Sequence, residues 1–277
     1  MTSVTLPRKA RIPVFVVLLI VAFSVVYPVV YLALAAFRSN AAYLRDPLGL
    51  PSSLMMQNFD VLWNGYGVGR ALVNSFIVVG SGLILQVVVA LLAAFALAKM
   101  AVPGGRVISA SFVSVMLIPS QVLIIPVYLL LSRVHLVGNL VGLILVYVAT
   151  GLPFAVFFLT ITIRSIDQAV LEAARIDGAG FHRTLTSVVV PMAGGGIATL
   201  AVLQFLTMWN ELLFAYILLP NTALTLVTPA VSQIGTNLVG NQPLVSAGLI
   251  VTALPPLILL SFTSRYLVAG LSAGIGK

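Results

Sequence analysis

Six long apolar stretches dominate this chain: Ile12–Phe37, Ala71–Ala98, Val107–Leu131, Leu136–Ile163, Ala193–Leu219 and Leu244–Ser264. A helix needs roughly 20 residues to cross the hydrocarbon core of a bilayer. Within lipid, backbone N–H and C=O groups find no water, so each stretch must satisfy its own hydrogen bonds as a helix. Residues 61% hydrophobic and only 7% charged contrast with about a quarter charged in a soluble domain. The reading is an all-α membrane protein with six transmembrane helices, forming one domain over residues 1–277. Arg8, Lys9 and Arg11 followed by an apolar run resemble the start of a signal peptide. The run is too long for that role and no small-residue cleavage site closes it, so it reads as a retained first span. Pro28, Pro119, Pro126, Pro153, Pro255 and Pro256 fall inside spans. Each removes a backbone donor and favours a kink, which suits helices lining a cavity as well as a plain bundle.

Charge placement sets the orientation. With the N-terminus inside, cytoplasmic segments hold Arg8, Lys9, Arg11, Lys99, Arg106, Arg164, Arg175, Arg183, Arg265 and Lys277, against Arg38, Arg45, Arg70 and Arg133 outside. That excess predicts cytoplasmic N- and C-termini. In the first outer loop, Asn58–Trp63 reads as a short amphipathic helix with Trp63 at headgroup depth. The outer loop Pro220–Pro243, rich in Asn, Thr and Gly, offers contacts to an external partner.

The net charge of +8 does not indicate nucleic acid, because the basic residues are scattered between apolar runs without a patch or stacking platform. The chain has no cysteine, which excludes disulfides, thiolate metal sites and a Cys nucleophile. His135 and His182 lie on opposite sides of the membrane in this topology and cannot share a metal. Gly80-Ser81-Gly82 is a weak echo of a nucleophile elbow, inside an apolar span with no nearby His. No catalytic residue, metal site or phosphate-binding Gly-x-x-x-x-Gly-Lys loop is expected.

The segment Arg164–Pro191 is too polar to cross. Ser165-Ile166-Asp167-Gln168 fits a capping box, with Ser165 accepting from the Gln168 amide. A helix then runs to about Asp177, and Gly178 and Gly180 supply the positive-φ residue that ends it. A second short helix follows from Phe181 to about Ser187, with Pro191 ahead of the next span. Ala173 and Ala174 leave the first helix flat enough for another backbone to approach.

Glu172-Ala173-Ala174, Asp177-Gly178-Ala179 and Val188-Val189-Val190-Pro191 resemble the EAA loop of binding-protein-dependent ABC importer permeases. The likeness extends over nearly the whole chain and is closest to the carbohydrate type, to its second, maltose-G-like permease. Asn58-Phe59, Asn74-Ser75, Pro103-Gly104, Trp209-Asn210-Glu211 and the tail Gly270–Lys277 are similar to that family too. Gly195 stands where the family often has a second proline.

The resemblance implies the type I ABC importer permease fold, with the EAA segment as a cytoplasmic coupling helix in a bacterial or archaeal plasma membrane. It implies pairing with a second permease, two ATPase subunits and an extracytoplasmic solute-binding protein that delivers a sugar. ATP and Mg would sit on the ATPases, with no cofactor on this chain. Glu172 would make a polar contact to the ATPase, Ala173 and Ala174 its contact face, Gly178 the bend, and Asp177 would hold the turn before Pro191.

Polar residues within spans have two readings. Gln204 and Glu211, with Thr207 and Asn210 beside them, form either a pathway stripe meeting sugar hydroxyls or interhelical hydrogen bonds. Ser120 and Gln121 form a second polar spot, and Asn74-Ser75 reads as glue between helices. The competing function is an ion-coupled secondary transporter or channel, for which Glu211 alone offers a midplane ionisable group.

Overall fold

The computed structural model describes residues 8–221, 223–237 and 241–275, with side chains over 12–221, 223–236 and 241–263. The side chains of Arg8, Lys9, Arg11 and Arg265, and those of the tail motif 270–277, lie outside the described residues. The chain divides into two compact units, Met1–Val68 with Val231–Ala253, and Gly69–Ala230 with Leu254–Lys277. The described residues are helical and form no strand.

Helices α1 (Arg8–Ala36), α2 (Asn40–Arg45) and α3 (Gln57–Asp60) belong to the first unit. Residues 12–30 of α1 are exposed throughout, an apolar surface suited to lipid or a neighbouring helix. The end of α1 is stitched to α3. Asn58 donates to the Ala36 and Arg38 carbonyls at 2.7 and 2.9 Å, and the Phe37 and Phe59 rings lie 5.2 Å apart. A π-helical turn, Val61–Gly65, continues α3, burying Leu62 and exposing Trp63, so the short helix expected over Asn58–Trp63 is present. Arg38 does not face solvent as an outer-loop charge would. Its guanidinium is buried and donates to the carbonyls of Ala42, Asp46 and Pro47.

The second unit carries α4 (Val68–Lys99, from its second residue), α5 (Gly105–Val115), α6 (Ile124–Arg133), α7 (Leu140–Arg164) and α8 (Gln168–Ile176). It continues with α9 (Phe181–Thr184), α10 (Val190–Met192), α11 (Gly194–Trp209) and α12 (Leu213–Leu218). Ala90, Ala94 and Phe95 of α4 pack with Ala155, Val156, Leu159 and Ile163 of α7 and with Leu200 of α11. Alanines on the facing surfaces let helix backbones approach closely, which is how helices associate where lipid removes the usual hydrophobic drive. Two helices, α13 (Val227–Asn237) and α14 (Gln242–Ile275), pass from one unit to the other.

Among the described residues, four helices can cross a membrane alone: Ile12–Ala36, Val68–Lys99, Leu140–Arg164 and Gln242–Thr263. Gly105–Val115 with Ser120–Arg133, and Phe181–Met192 with Gly194–Trp209, qualify only as pairs bent by 90° and 75°. The third and fifth predicted stretches are therefore not single helices. In the third, Pro119 has no N–H, and it pushes the residue before it away from helical geometry. Its ψ of 124° starts a 3-10 turn at Ser120–Leu123. In the fifth, α11 stops at Trp209 and α12 begins at Leu213. Residues before Ala193, read above as the end of a polar loop, form a continuous helical run from Phe181 to Met192.

Candidate functional site: a coupling loop and a polar cavity

The loop after α7 is fixed to the bundle by two cations capping each other's helix ends. Lys99, the last residue of α4, donates through Nζ to the Ile166 and Arg164 carbonyls, and Arg164, the last residue of α7, reaches the Leu97 carbonyl. Positive charge at a helix C-terminus meets the negative end of the dipole and the unpaired carbonyls there.

The start of α8 corrects the capping-box expectation. Asp167 is the N-cap, its Oδ1 accepting from the Ala169 amide at 3.0 Å. Ser165 still belongs to the last turn of α7, so its hydroxyl donates back to the Thr162 carbonyl at 2.7 Å. The other end closes as expected at Gly178. The amide of Ala179 bonds the Ala174 carbonyl and that of Gly178 the Arg175 carbonyl, the paired bonds of a Schellman turn. Gly178 has φ +76°, whereas Gly180 has φ −72° and contributes no left-handed residue. Asp177 closes the turn with its backbone amide, bonded to the Ala173 carbonyl.

Leu171 alone anchors α8 as a buried residue, 2% exposed, among Ile163, Ile166, Leu185 and Val189. The Phe181 ring packs at a tilt against that of Phe95 of α4, the centroids 5.5 Å apart. Outward, Glu172, Ala173 and Gly178 are exposed and Ala174 half-buried, while Ile176 is 87% exposed. Pro191 sits inside the run that follows. Its missing N–H falls beside a π-turn, Leu185–Val189, closed by the Val190 amide on the Leu185 carbonyl, a local widening that a mid-helix proline favours.

The second locus is a cavity of about 110 Å³ lined by Ser120, Tyr147, Thr150, Gly151, Gln204, Thr207, Met208, Glu211 and Phe214. Four residues singled out from the sequence, Ser120, Gln204, Thr207 and Glu211, meet here. Gln121 and Asn210 do not line it; both are exposed, and the Asn210 amide turns back to the Leu206 carbonyl. Two shallower hollows share Thr150 and Phe154 with each other, about 440 Å³ on the Pro119 side and about 430 Å³ on the Leu203 side.

Glu211 is not on the face of α11, because that helix has already ended. It occupies the break and accepts three hydrogen bonds, from Phe214 N at 2.9 Å, Ala215 N at 3.1 Å and Tyr147 Oη at 3.1 Å. The carboxylate caps the first turn of α12, supplying acceptors to amides that have no carbonyl behind them. Asn74 and Ser75 also bind backbone rather than another span. Asn74 donates to the Ala223 and Thr225 carbonyls, both at 3.1 Å, and Ser75 Oγ accepts from Val227 N at 2.9 Å.

The sequence reading passed over Gln86 and Gly151. Gln86 is a fully buried carboxamide in α4 with neither polar atom hydrogen-bonded. Gln204 Nε2 donates to the Gly151 carbonyl at 3.0 Å. A Cβ on residue 151 would overlap the Gln86 amide nitrogen and lie 3.2 Å from Gln204 Nε2. A glutamine in the middle of a largely apolar span was the available signal.

The family model described as "Binding-protein-dependent transport system inner membrane component" matches residues 86–273. A diacetylchitobiose uptake system permease protein of Streptomyces coelicolor is 32% identical over 252 residues, covering 90% of this chain and 83% of that protein. A trehalose transport system permease protein of Mycobacterium tuberculosis is 30% identical, covering 84% and 86%. The fold matches a chain of a bacterial ABC transporter involved in the import of the acidic polysaccharide alginate. The TM-score is 0.80 at 22% identity, over 95% of this chain and 99% of that one.

Proposed function

The chain belongs to the binding-protein-dependent transport system inner membrane components, permease subunits rather than enzymes, and on that premise we propose that it carries a sugar or oligosaccharide across the membrane in an ATP-driven importer. A second, similar permease completes the pathway. A soluble binding protein delivers the sugar from outside, and two cytoplasmic ATPases, holding ATP and Mg, dock on the α8 loop. Six spans, with both termini in the cytoplasm, follow from the same reading.

One observation supports the coupling role above the others. Helix α8 presents Glu172, with no hydrogen bond or ion pair among the described residues, beside the small residues Ala173 and Ala174. Its far side is tied to the bundle through Leu171, and its base through Lys99 and Arg164. A short helix flat on one side and rigidly rooted on the other transmits a push without bending. Glu172 contacts the ATPase, Ala173 and Ala174 form the seat, and Gly178, next to Asp177, sets the angle at which the chain returns towards Pro191. Ser120, Gln204 and Thr207 offer polar contacts along the pathway. Glu211 serves mainly to shape the break in the fifth span. Asn210 and Gln121, exposed away from the cavity, are left for the partner permease or the moving substrate.

Reconstitution tests the reading. Vesicles holding the complete importer should take up sugar on ATP addition and not on imposition of an ion gradient. Glu172→Ala and Gly178→Asp should uncouple ATP hydrolysis from uptake. Uptake driven by the gradient alone, or wild-type coupling in both variants, would refute the assignment.

A further inference from the structure

Gln86 stands out because its position is costly as it stands. A carboxamide buried in an apolar environment without hydrogen bonds is strongly disfavoured. Gln86 is wholly buried in the interior of α4, and both its Oε1 and its Nε2 lack partners. Gln204 Nε2 donates to the carbonyl of the neighbouring Gly151. The Gln86 amide occupies the place where a side chain of residue 151 would be. Residue 151 also lines the 110 Å³ cavity, whose lining does not include the Gln86 side chain.

From this geometry we infer that Gln86, Gly151 and Gln204 form a subsite for one hydroxyl of a neutral, polyhydroxylated ligand, with Gly151 keeping the wall thin enough for the Gln86 amide to reach it. The inference rests on the sugar-import reading above and adds the group that recognises the sugar. A carboxamide offers one acceptor and a pair of N–H donors, and a hydroxyl is the ligand group that both donates and accepts. The rest of the lining points the same way. Ser120, Tyr147, Thr150 and Thr207 are hydroxyls, and the one ionisable carboxylate, Glu211, is held by two backbone amides and a tyrosine. A cation would find no free carboxylate there, and an anion no cation. In the conformation described the subsite is closed. The glutamine's flexible stem lets the amide turn to the cavity when a hydroxyl replaces the packing contact.

Equilibrium binding to the purified permease–ATPase complex, without its binding protein, tests this with radiolabelled trehalose, melibiose and diacetylchitobiose as probes. Gln86→Leu should weaken binding of the sugar that the wild type takes by about tenfold, the usual effect of losing one hydrogen bond to a bound polar group. Gly151→Ala should weaken it similarly by displacing Gln86. The double variant Gln86→Ala with Gly151→Ala removes the overlap, so it should assemble with its ATPases like the wild type and yet bind sugar as weakly as Gln86→Leu. Unchanged affinity in Gln86→Leu, or recovery of wild-type affinity in the double variant, would reduce the amide to packing and overturn the inference. If none of the three sugars binds the wild-type complex, the sugar assignment itself fails, whatever the variants do.

Discussion

Glu172 and Glu211 are the same side chain in opposite settings. On α8, Glu172 is exposed and, among the described residues, unpartnered beside a flat alanine pair. In the break between α11 and α12, Glu211 has its carboxylate filled by Phe214 N, Ala215 N and the Tyr147 hydroxyl. A carboxylate whose two oxygens are both engaged from within its own chain maintains local shape. One left open on a rigid surface is available to another molecule. The contrast shows that a charged residue's place in a sequence motif says less about its role than where its hydrogen bonds go.

Substitutions at five positions probe that contrast. The largest effect is expected at Glu211. Glu211→Leu leaves two backbone amides and the Tyr147 hydroxyl without acceptors inside the bundle, at a cost of about 1–3 kcal/mol for each unsatisfied group. Thermal unfolding of the solubilised complex should show a loss of several degrees or a failure to assemble. Glu211→Gln, which keeps an acceptor, should be far milder, and equal losses in the two would mean that charge rather than hydrogen-bond geometry matters at the break. Next is Gly178→Ala. Holding a Cβ in the left-handed region costs roughly 1–2 kcal/mol, so the turn after α8 should loosen and ATP-driven uptake fall, while Gly178→Asn should retain more activity. A wild-type rate for the alanine variant would show that the turn's angle is not transmitted. The smallest effect separates two capping residues. Asp167→Ala should cost about 1 kcal/mol as the loss of an N-cap, and Ser165→Ala less than half of that. Amide exchange across α8 reads both, and the reverse order would restore the Ser165 capping box. Glu172→Ala, set against these, should leave the unfolding temperature unchanged while lowering coupled transport.

Much of this architecture was legible along the chain. The apolar stretches at residues 12–37, 71–98, 136–163 and 244–264 each became a long helix, because a run without polar groups has one way to satisfy its backbone in lipid. The EAA segment showed its helix and its Gly178 exit, since a left-handed glycine after an alanine-rich turn is a local signal. What escaped was non-local. Pro119 announced a kink, but the 90° turn that followed depended on what the chain packed against next. Arg38 read as an outer charge and is a buried clamp on three carbonyls. Gln86 drew no attention because its meaning comes from Gly151, 65 positions further along.

The amino-acid order by itself decided that this chain lives in a bilayer as helices, and where helix α8 ends. Both are consequences of local solvation and backbone geometry, and neighbours in sequence are enough to compute them. Only the tertiary structure decided which polar atoms find partners. Glu211 is satisfied by a tyrosine of α7, and Gln86 is left unsatisfied against a glycine of that same helix. Hydrogen bonds close between residues far apart in the chain, and in lipid, where water cannot stand in for a missing partner, that closure separates the groups that build the protein from those left to bind something else.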